Sequence, residues 1–294
     1  MLLTLKKLVK KNLFFYKISL KIMYPWISYR RRKEFEGKTT INVLKTFPIF
    51  IAHGWGLYPI RAKLTMQSIN QVIPALAEFS ETSDRNIKFT EELNKSFYGN
   101  DNENQGKLKE LFDKHGSDKG SSHNYYKIYA DLIHKINDVG KIFEIGLGTN
   151  NTDIVSTMGK GGKPGASLRA FRDYGVNHQV YGADFDKRIL FQEERIETFF
   201  VDQTDPETFS SLLTVTGIRF DLMIDDGLHS PNANLHSLKF FLENLKIGGC
   251  AVIEDIDLRT KPIWQVVSHL IEPKFESAFI ETKLACMFIA RRVI

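Results

Sequence analysis

The stretch MIDDGLHS, residues 223–230, ends an apolar run in two adjacent carboxylates, Asp225 and Asp226, and places His229 three residues after the second. Carboxylates at a strand end can hold a hard divalent cation through oxygen ligands. Histidine, with an unperturbed pKa near ~6.5, suits proton removal from a hydroxyl, typically worth roughly 10²- to 10⁴-fold. His229 lies one short turn beyond Asp226, so both can face one substrate hydroxyl. The plainer alternative is a histidine capping the helix that starts at Ser230. A second acidic pair, Glu254 and Asp255, interrupts the apolar run CAVIEDID at 250–257. Four carboxylates brought together from neighbouring strand ends raise one another's pKa, and a bound cation relieves that cost.

A different chemistry is suggested by EIGLGTNN, residues 144–151, where Gly146 and Gly148 follow Glu144 and let the backbone approach a ligand closely. The third glycine of a dinucleotide fingerprint is absent. The next strand-end acid, Asp184, comes forty residues after Glu144 rather than about twenty. Pyrophosphate is therefore disfavoured, while a nucleoside with an uncharged linker, such as S-adenosylmethionine, is compatible. A carboxylate is a pure acceptor with two oxygens. Asp184 suits a ribose diol, and Asp202 with Gln203 suits an adenine amino group; for each acid alone, a helix cap or solvated loop is the plain alternative.

These residues need elements to hold them. Short apolar strands are expected at 141–148, 179–186, 196–203, 220–227 and 250–257, each tending to end in an acid or a glycine. SPNANLHSLKFFLENLKIGG joins the last two as a helix, with Ser230 as cap, Pro231 in the first turn, and Leu235, Leu238, Phe241 and Leu245 on one face. Gly248 and Gly249 are expected to stop it. Strand, helix and strand in series imply a doubly wound α/β fold with a parallel sheet covered on both faces. FESAFIETKLACMFIARRV reads as an antiparallel edge hairpin. In such a sheet ligands bind beyond the carboxyl ends of the strands, where all the acids fall.

The ordered set DKGSSHNYYKIY (118–129), FEIGLGTNN, GASLRAFRDY, VYGADFDKRI, VDQTDP, DLMIDDGLH and GGCAVIEDI resembles class I S-adenosylmethionine-dependent methyltransferases. Within them it is most similar to the metal-dependent macrolide-sugar O-methyltransferases and the related cephalosporin hydroxylase-like group. The resemblance spans about residues 112–258. It implies a Rossmann-like methyltransferase sheet, with S-adenosylmethionine and Mg²⁺ as cofactors. It further implies Asp226, Glu254 and Asp255 as metal ligands and His229 as general base. Cosubstrate contacts are implied at Glu144, Gly146, Gly148, Asp184, Asp202, Gln203 and Asp225, and at Ser167, His123 and Tyr125. The N-terminal third and short C-terminal end depart from the pattern, which bears on the acceptor more than on the chemistry.

Composition bounds the rest. Residues 1–33 hold ten Lys or Arg and no acid, although the whole chain is only +5. The remainder is therefore net acidic, which argues against a nucleic-acid-binding domain. LVKKNLFFYKISLKIMYPWISYRRRK contains no 18-residue uncharged run and no small-residue cleavage site. It reads as a basic, aromatic helix lying on an anionic membrane surface, or as a helix packed on the domain or another subunit. Cys250 and Cys286 sit in apolar runs as core residues of a reducing cytosol. The expected organisation is a helical extension and linker over 1–108 and the methyltransferase domain over 109–294.

Its expected activity is methyl transfer by in-line displacement to a hydroxyl of a sugar or glycan, with a lipid-linked glycan as the acceptor in the membrane-associated version. The expected location is cytoplasmic, at the inner face of the membrane, with self-association as a further expectation. Two rivals are another metal-assisted reaction on the same fold, and a silent methyltransferase-like module tethering an assembly.

Overall fold

The computed structural model of the 294-residue chain describes residues 102–136, 139–154, 156–282 and 285–294, with Ile69, Ile73 and Pro74. The basic segment 1–33 and the linker up to residue 101 lie outside the described residues. The sequence also predicts a helical stretch near Ala62 to Ala77; Ile69, Ile73 and Pro74 are helical, and the rest of it lies outside the described residues. Among the described residues no helix is long and apolar enough to cross a membrane.

Helix α1 (Asn102–His115) precedes α2 (Tyr126–His134), β1 (Lys141–Ile145), α3 (Ala166–Tyr174) and β2 (Gln179–Asp184). There follow β3 (Gln192–Glu193), β4 (Ile196–Phe200), α4 (Pro206–Thr216), β5 (Phe220–Asp225) and α5 (Pro231–Asn244). β6 (Leu245–Ile256), α6 (Lys261–Ile271), β7 (Phe275–Glu281) and β8 (Cys286–Arg292) complete the order. The boundary expected after residue 108 falls inside α1, whose Leu108 and Phe112 are fully buried. Phe112 meets Phe171 of α3 edge to face at 5.4 Å.

The eight strands form one sheet in the order β3-β4-β2-β1-β5-β6-β8-β7. β4, β2, β1, β5 and β6 run parallel, while β8 and β7 close the far edge as the expected antiparallel hairpin. The parallel strands are nearly continuous apolar runs because both faces are covered. Ile142, Leu222, Ile224 and Val252 lie in the core on one side, and Phe143, Met223, Ala251 and Ile253 in that on the other. Strand order reverses between β1 and β5. The crevice at their carboxyl ends therefore opens where EIGLG and DDGLH meet.

The crossing is tight. Gly146 has φ +97°, its N–H donates to the Ala183 carbonyl at 2.8 Å, and the Asp226 N–H donates to the Ile145 carbonyl at 2.8 Å. A Cβ on Gly146 would overlap the Asp226 backbone carbonyl. Only glycine combines that conformation with that approach. Gly146→Ala is expected to displace the DDGLH loop and lower stability by at least about 2 kcal/mol, read as a fall in the urea midpoint.

Helix α5 departs from the expected face. Leu238, Phe241 and Leu245 are buried, but Leu235 is exposed, and Asn234 and Ser237 are buried instead. Two polar residues can face inward because they hydrogen-bond to groups at the ends of β4 and β5. The helix ends at Asn244, whose side chain donates to the Phe240 carbonyl at 2.7 Å. β6 starts at once, so Gly248 and Gly249 lie within a strand whose register shifts there, rather than stopping the helix.

Away from the crevice, Asp173 joins α3 to α1. His115 Nε2 lies at 2.8 Å, Arg172 Nε at 2.8 Å and Lys114 Nζ at 3.7 Å, with Glu193 sharing the Arg172 guanidinium. Burial pushes the Asp173 carboxyl up, but the Arg172 and His115 hydrogen bonds outweigh it and bring it down to about 2. A lowered carboxylate pKa adds stability above the unfolded value, and that stability is lost as pH falls through the folded value. The clamp is therefore expected to weaken between about pH 4 and pH 2, by roughly 1 kcal/mol once solvent screening is allowed for. Asp173→Asn should flatten acid unfolding across that window.

Candidate functional site

Asp226, His229 and Asp255 bring three ligand atoms within 4.8 Å of one another. His229 Nε2 lies 3.8 Å from Asp226 Oδ1 and 3.7 Å from Asp255 Oδ2. All three are partly exposed. The backbone bends to make this cluster. His229 has φ +53° and Asp255 φ +51°, left-handed conformations that are uncommon outside glycine and cost about 1–3 kcal/mol each. At Asp255 the β6–β8 pairing shifts between Ile253 and Ile256. His229 is not spent as a helix cap: among the described residues its buried Nδ1 has no hydrogen-bond partner, and the N-cap residue Ser230 makes no side-chain cap bond to α5.

A second group of acids lies deeper. Lys119, in the loop before α2, is 2% exposed; its Nζ donates to Asp226 Oδ2 at 2.5 Å and to Glu254 Oε2 at 2.6 Å. It also sits 3.3 Å from Glu144 Oε1. Burial works against the ammonium, but Asp226, Glu254 and Glu144 outweigh it and hold Lys119 charged. Glu254 is 1% exposed, and its other oxygen accepts from the Tyr129 hydroxyl. Burial raises the Glu254 carboxyl despite Lys119, and Asp226, Asp255 and Glu144 push it further. Burial likewise lifts Glu144 to about 7 against the pull of Lys119. The four acids thus divide. Asp226 and Asp255 border the open cluster with His229, whereas Glu254 and Glu144 are sealed behind Lys119.

Tyr125 and His123 fall beside the same cluster. The Tyr125 hydroxyl donates to Asp255 Oδ1 at 2.5 Å, and His123 Nδ1 lies 3.6 Å from that oxygen. Their rings are 4.9 Å apart. Burial pushes the Tyr125 phenol up, and Asp255 and Glu254 add to it, so it remains a donor.

The other residues assigned to the cosubstrate are largely tied to one another. Asp184 accepts from the N–H groups of Leu147 and Asp186, each at 2.8 Å, and so anchors the glycine loop. Asp186 extends that anchor, accepting from Thr149 Oγ1 at 2.7 Å and Asn151 Nδ2 at 2.8 Å. Gly148, at φ +77°, would bring a Cβ near Met158 alone among the described residues. Ser167, at the start of α3, donates to Glu144. Asp202 closes a turn by accepting from Thr204 N and Oγ1 at 2.9 and 2.7 Å.

Gln203 donates to Asp225 Oδ1 and Ser237 Oγ, both at 2.7 Å, and accepts from Leu228 N at 2.8 Å. Asp225, fully buried, accepts from Gln203, from Asn234 at 2.9 Å and from Gly227 N at 3.1 Å. Burial pushes its carboxyl up against those bonds. Gln203 and Asp225 therefore shape the DDGLH loop from within.

Lys119 and Tyr129 lie within DKGSSHNYYKIY, but nothing local in that run marks either as a site residue. Apart from Glu144, their partners lie more than 100 positions away. The available signal was Lys119, His123 and Tyr125 in the run that leads into the helix carrying Tyr129.

The donor set fits a hard divalent cation: two partly exposed carboxylates, Asp226 and Asp255, face a histidine whose second ring nitrogen has no partner among the described residues. The glycine loop and the ends of β2 and β4 fit a cosubstrate less directly, since most of their acids serve the loop itself.

No protein-family model matches the chain. Over 153 residues it is 29% identical to the 8-demethyl-8-alpha-L-rhamnosyl tetracenomycin-C 2'-O-methyltransferase of Streptomyces olivaceus, covering 52% of this chain and 38% of that one. Over 93 residues it is 36% identical to the mycinamicin VI 2''-O-methyltransferase of Micromonospora griseorubida, covering 31% and 23%. The chain thus spans well under half the length of these curated relatives. Among solved structures, the MycE methyltransferase of the mycinamycin pathway, in complex with Mg, SAH and mycinamycin VI, matches with a TM-score of 0.52 at 20% identity. That match covers 64% of this chain and 54% of the other. The chain resembles this group in sequence, and its described part has the same Rossmann-like sheet.

Proposed function

We propose that this chain is an S-adenosylmethionine-dependent, Mg²⁺-assisted O-methyltransferase acting on a sugar hydroxyl. The observation that carries the reading is the Asp226, His229 and Asp255 cluster at the point where strand order reverses. The rhamnosyl group in the name of the similar tetracenomycin-C 2'-O-methyltransferase supports the acceptor class.

Asp226 Oδ1 and Asp255 would hold the cation, which when bound favours ionisation of an alcohol. His229 Nε2, beside both carboxylates, takes the hydroxyl proton as oxygen attacks the methyl carbon. The new C–O bond forms as the C–S bond of the sulfonium breaks, leaving the thioether; the proton stays on His229. Tyr125, bonded to Asp255, keeps that carboxylate turned toward the histidine. The glycine loop, anchored by Asp184 and Asp186, sets the cosubstrate against this side of the crevice.

The test is transfer of labelled methyl to a rhamnoside compared with its aglycone. Label in the glycoside alone is expected; equal labelling of the aglycone would remove the sugar assignment. The basic segment 1–33 supports a finer reading in which the acceptor is a lipid-linked glycan at an anionic membrane surface. Deleting 1–33 is then expected to abolish sedimentation with phosphatidylserine vesicles, and unchanged sedimentation would sink the membrane part alone.

A further inference from the structure

The proposed reaction gives Lys119 no step, yet it is the most buried cation at the site. Its ammonium has three protons to donate, and three carboxylates from three strands surround it: Glu144 of β1, Asp226 just past β5, and Glu254 of β6. We propose that Lys119 is the resident counter-cation of the acid cluster, a positioning residue that makes the site foldable before any divalent ion binds.

Charge bookkeeping supports this. Glu144, Asp226 and Glu254 approach one another at the buried end of the crevice, and the first and last are at most 1% exposed. Buried charges persist when paired, and removing one partner is strongly destabilising because the other is left uncompensated. Within hydrogen-bonding reach of these three carboxylates, the described cation is Lys119. The hydroxyls of Tyr129 and Ser167 take the remaining places on Glu254 and Glu144.

The arrangement also divides Asp226. Its Oδ2 is held by Lys119, which leaves Oδ1 on the side of His229. The ammonium therefore occupies the inner half of the cluster, and the divalent cation's half is reduced to Asp226 Oδ1 and Asp255. One segment does most of this work: Lys119, His123, Tyr125 and Tyr129 all reach the Glu254 and Asp255 pair or its neighbour Asp226. Gly120 allows the segment to sit against α1, since a Cβ there would lie 2.6 Å from an Asp113 oxygen.

The inference rests on the proposed metal position only for how Mg²⁺ acts, and stability measurements separate the two. In chelator, full-length Lys119→Met is expected to melt roughly 10 °C below wild type. Adding millimolar MgCl₂ should raise the variant more than wild type, because the added ion replaces the lost charge. Lys119→Met/Glu254→Gln, which removes one charge of each sign, should melt above the single variant in chelator; this arm also serves if the single variant fails to fold.

A Lys119→Met protein that melts with wild type in chelator, or a double variant no more stable than the single one, overturns the counter-cation role. If the double variant rescues stability while Mg²⁺ raises neither wild type nor the single variant, Lys119 keeps its role and the proposed metal position fails.

Discussion

His229→Ala is expected to lower methyl transfer by roughly 10²- to 10⁴-fold while leaving cosubstrate affinity unchanged. The side chain is the only imidazole placed within 4 Å of both Asp226 and Asp255 among the described residues; His123 is near Asp255 alone. Removing it takes away the proton acceptor without touching the glycine loop. Alanine also fits poorly at φ +53°, so loop displacement could mimic loss of the base. His229→Asn separates the two effects, because asparagine tolerates the left-handed region better but cannot accept the proton in this way. Both variants should be equally inactive and only alanine should lose appreciable stability. Turnover near wild type in the asparagine variant would remove His229 from the proton transfer.

The second large effect is expected at Asp226. Asp226→Ala removes one of the two carboxylates facing His229 and one of the three holding Lys119. Transfer should fall by more than about 10²-fold and cease to depend on added Mg²⁺. Asp255→Ala should produce the same loss of metal response, but should spare Lys119, whose partners are Glu144, Asp226 and Glu254. Titrating Mn²⁺ into each variant and following bound metal by electron spin resonance checks the assignment directly. Metal binding by Asp226→Ala at wild-type affinity would place the cation elsewhere.

Much of this site was legible because each local signal coincided with a strand end. The runs around Ile145, Asp184 and Asp225 are apolar until they meet an acid or glycine, which marked both the strands and the edge where ligands gather. The sheet and its terminal hairpin followed from the order of those runs. What escaped depends on partners distant in the chain. Lys119 reads as one lysine among many until β1, β5 and β6 bring three carboxylates around it.

Asp225 and Gln203 look available in sequence, yet they are consumed by Asn234, Ser237 and Leu228. The same bonds explain why α5 turns Asn234 inward and leaves Leu235 exposed, against its apolar periodicity. Glu254 and Asp255 are neighbours that a regular strand would send to opposite faces. The left-handed turn at Asp255 accompanies their division between the buried and the open parts of the site, and no residue type announced it.

The most direct measurement is single-turnover transfer of labelled methyl from S-adenosylmethionine to a rhamnoside acceptor, before and after exhaustive chelation and then with Mg²⁺ restored. The account predicts transfer that chelation abolishes and Mg²⁺ recovers; transfer that survives chelation undiminished, or its absence from every sugar-bearing acceptor with Mg²⁺ present, would contradict it.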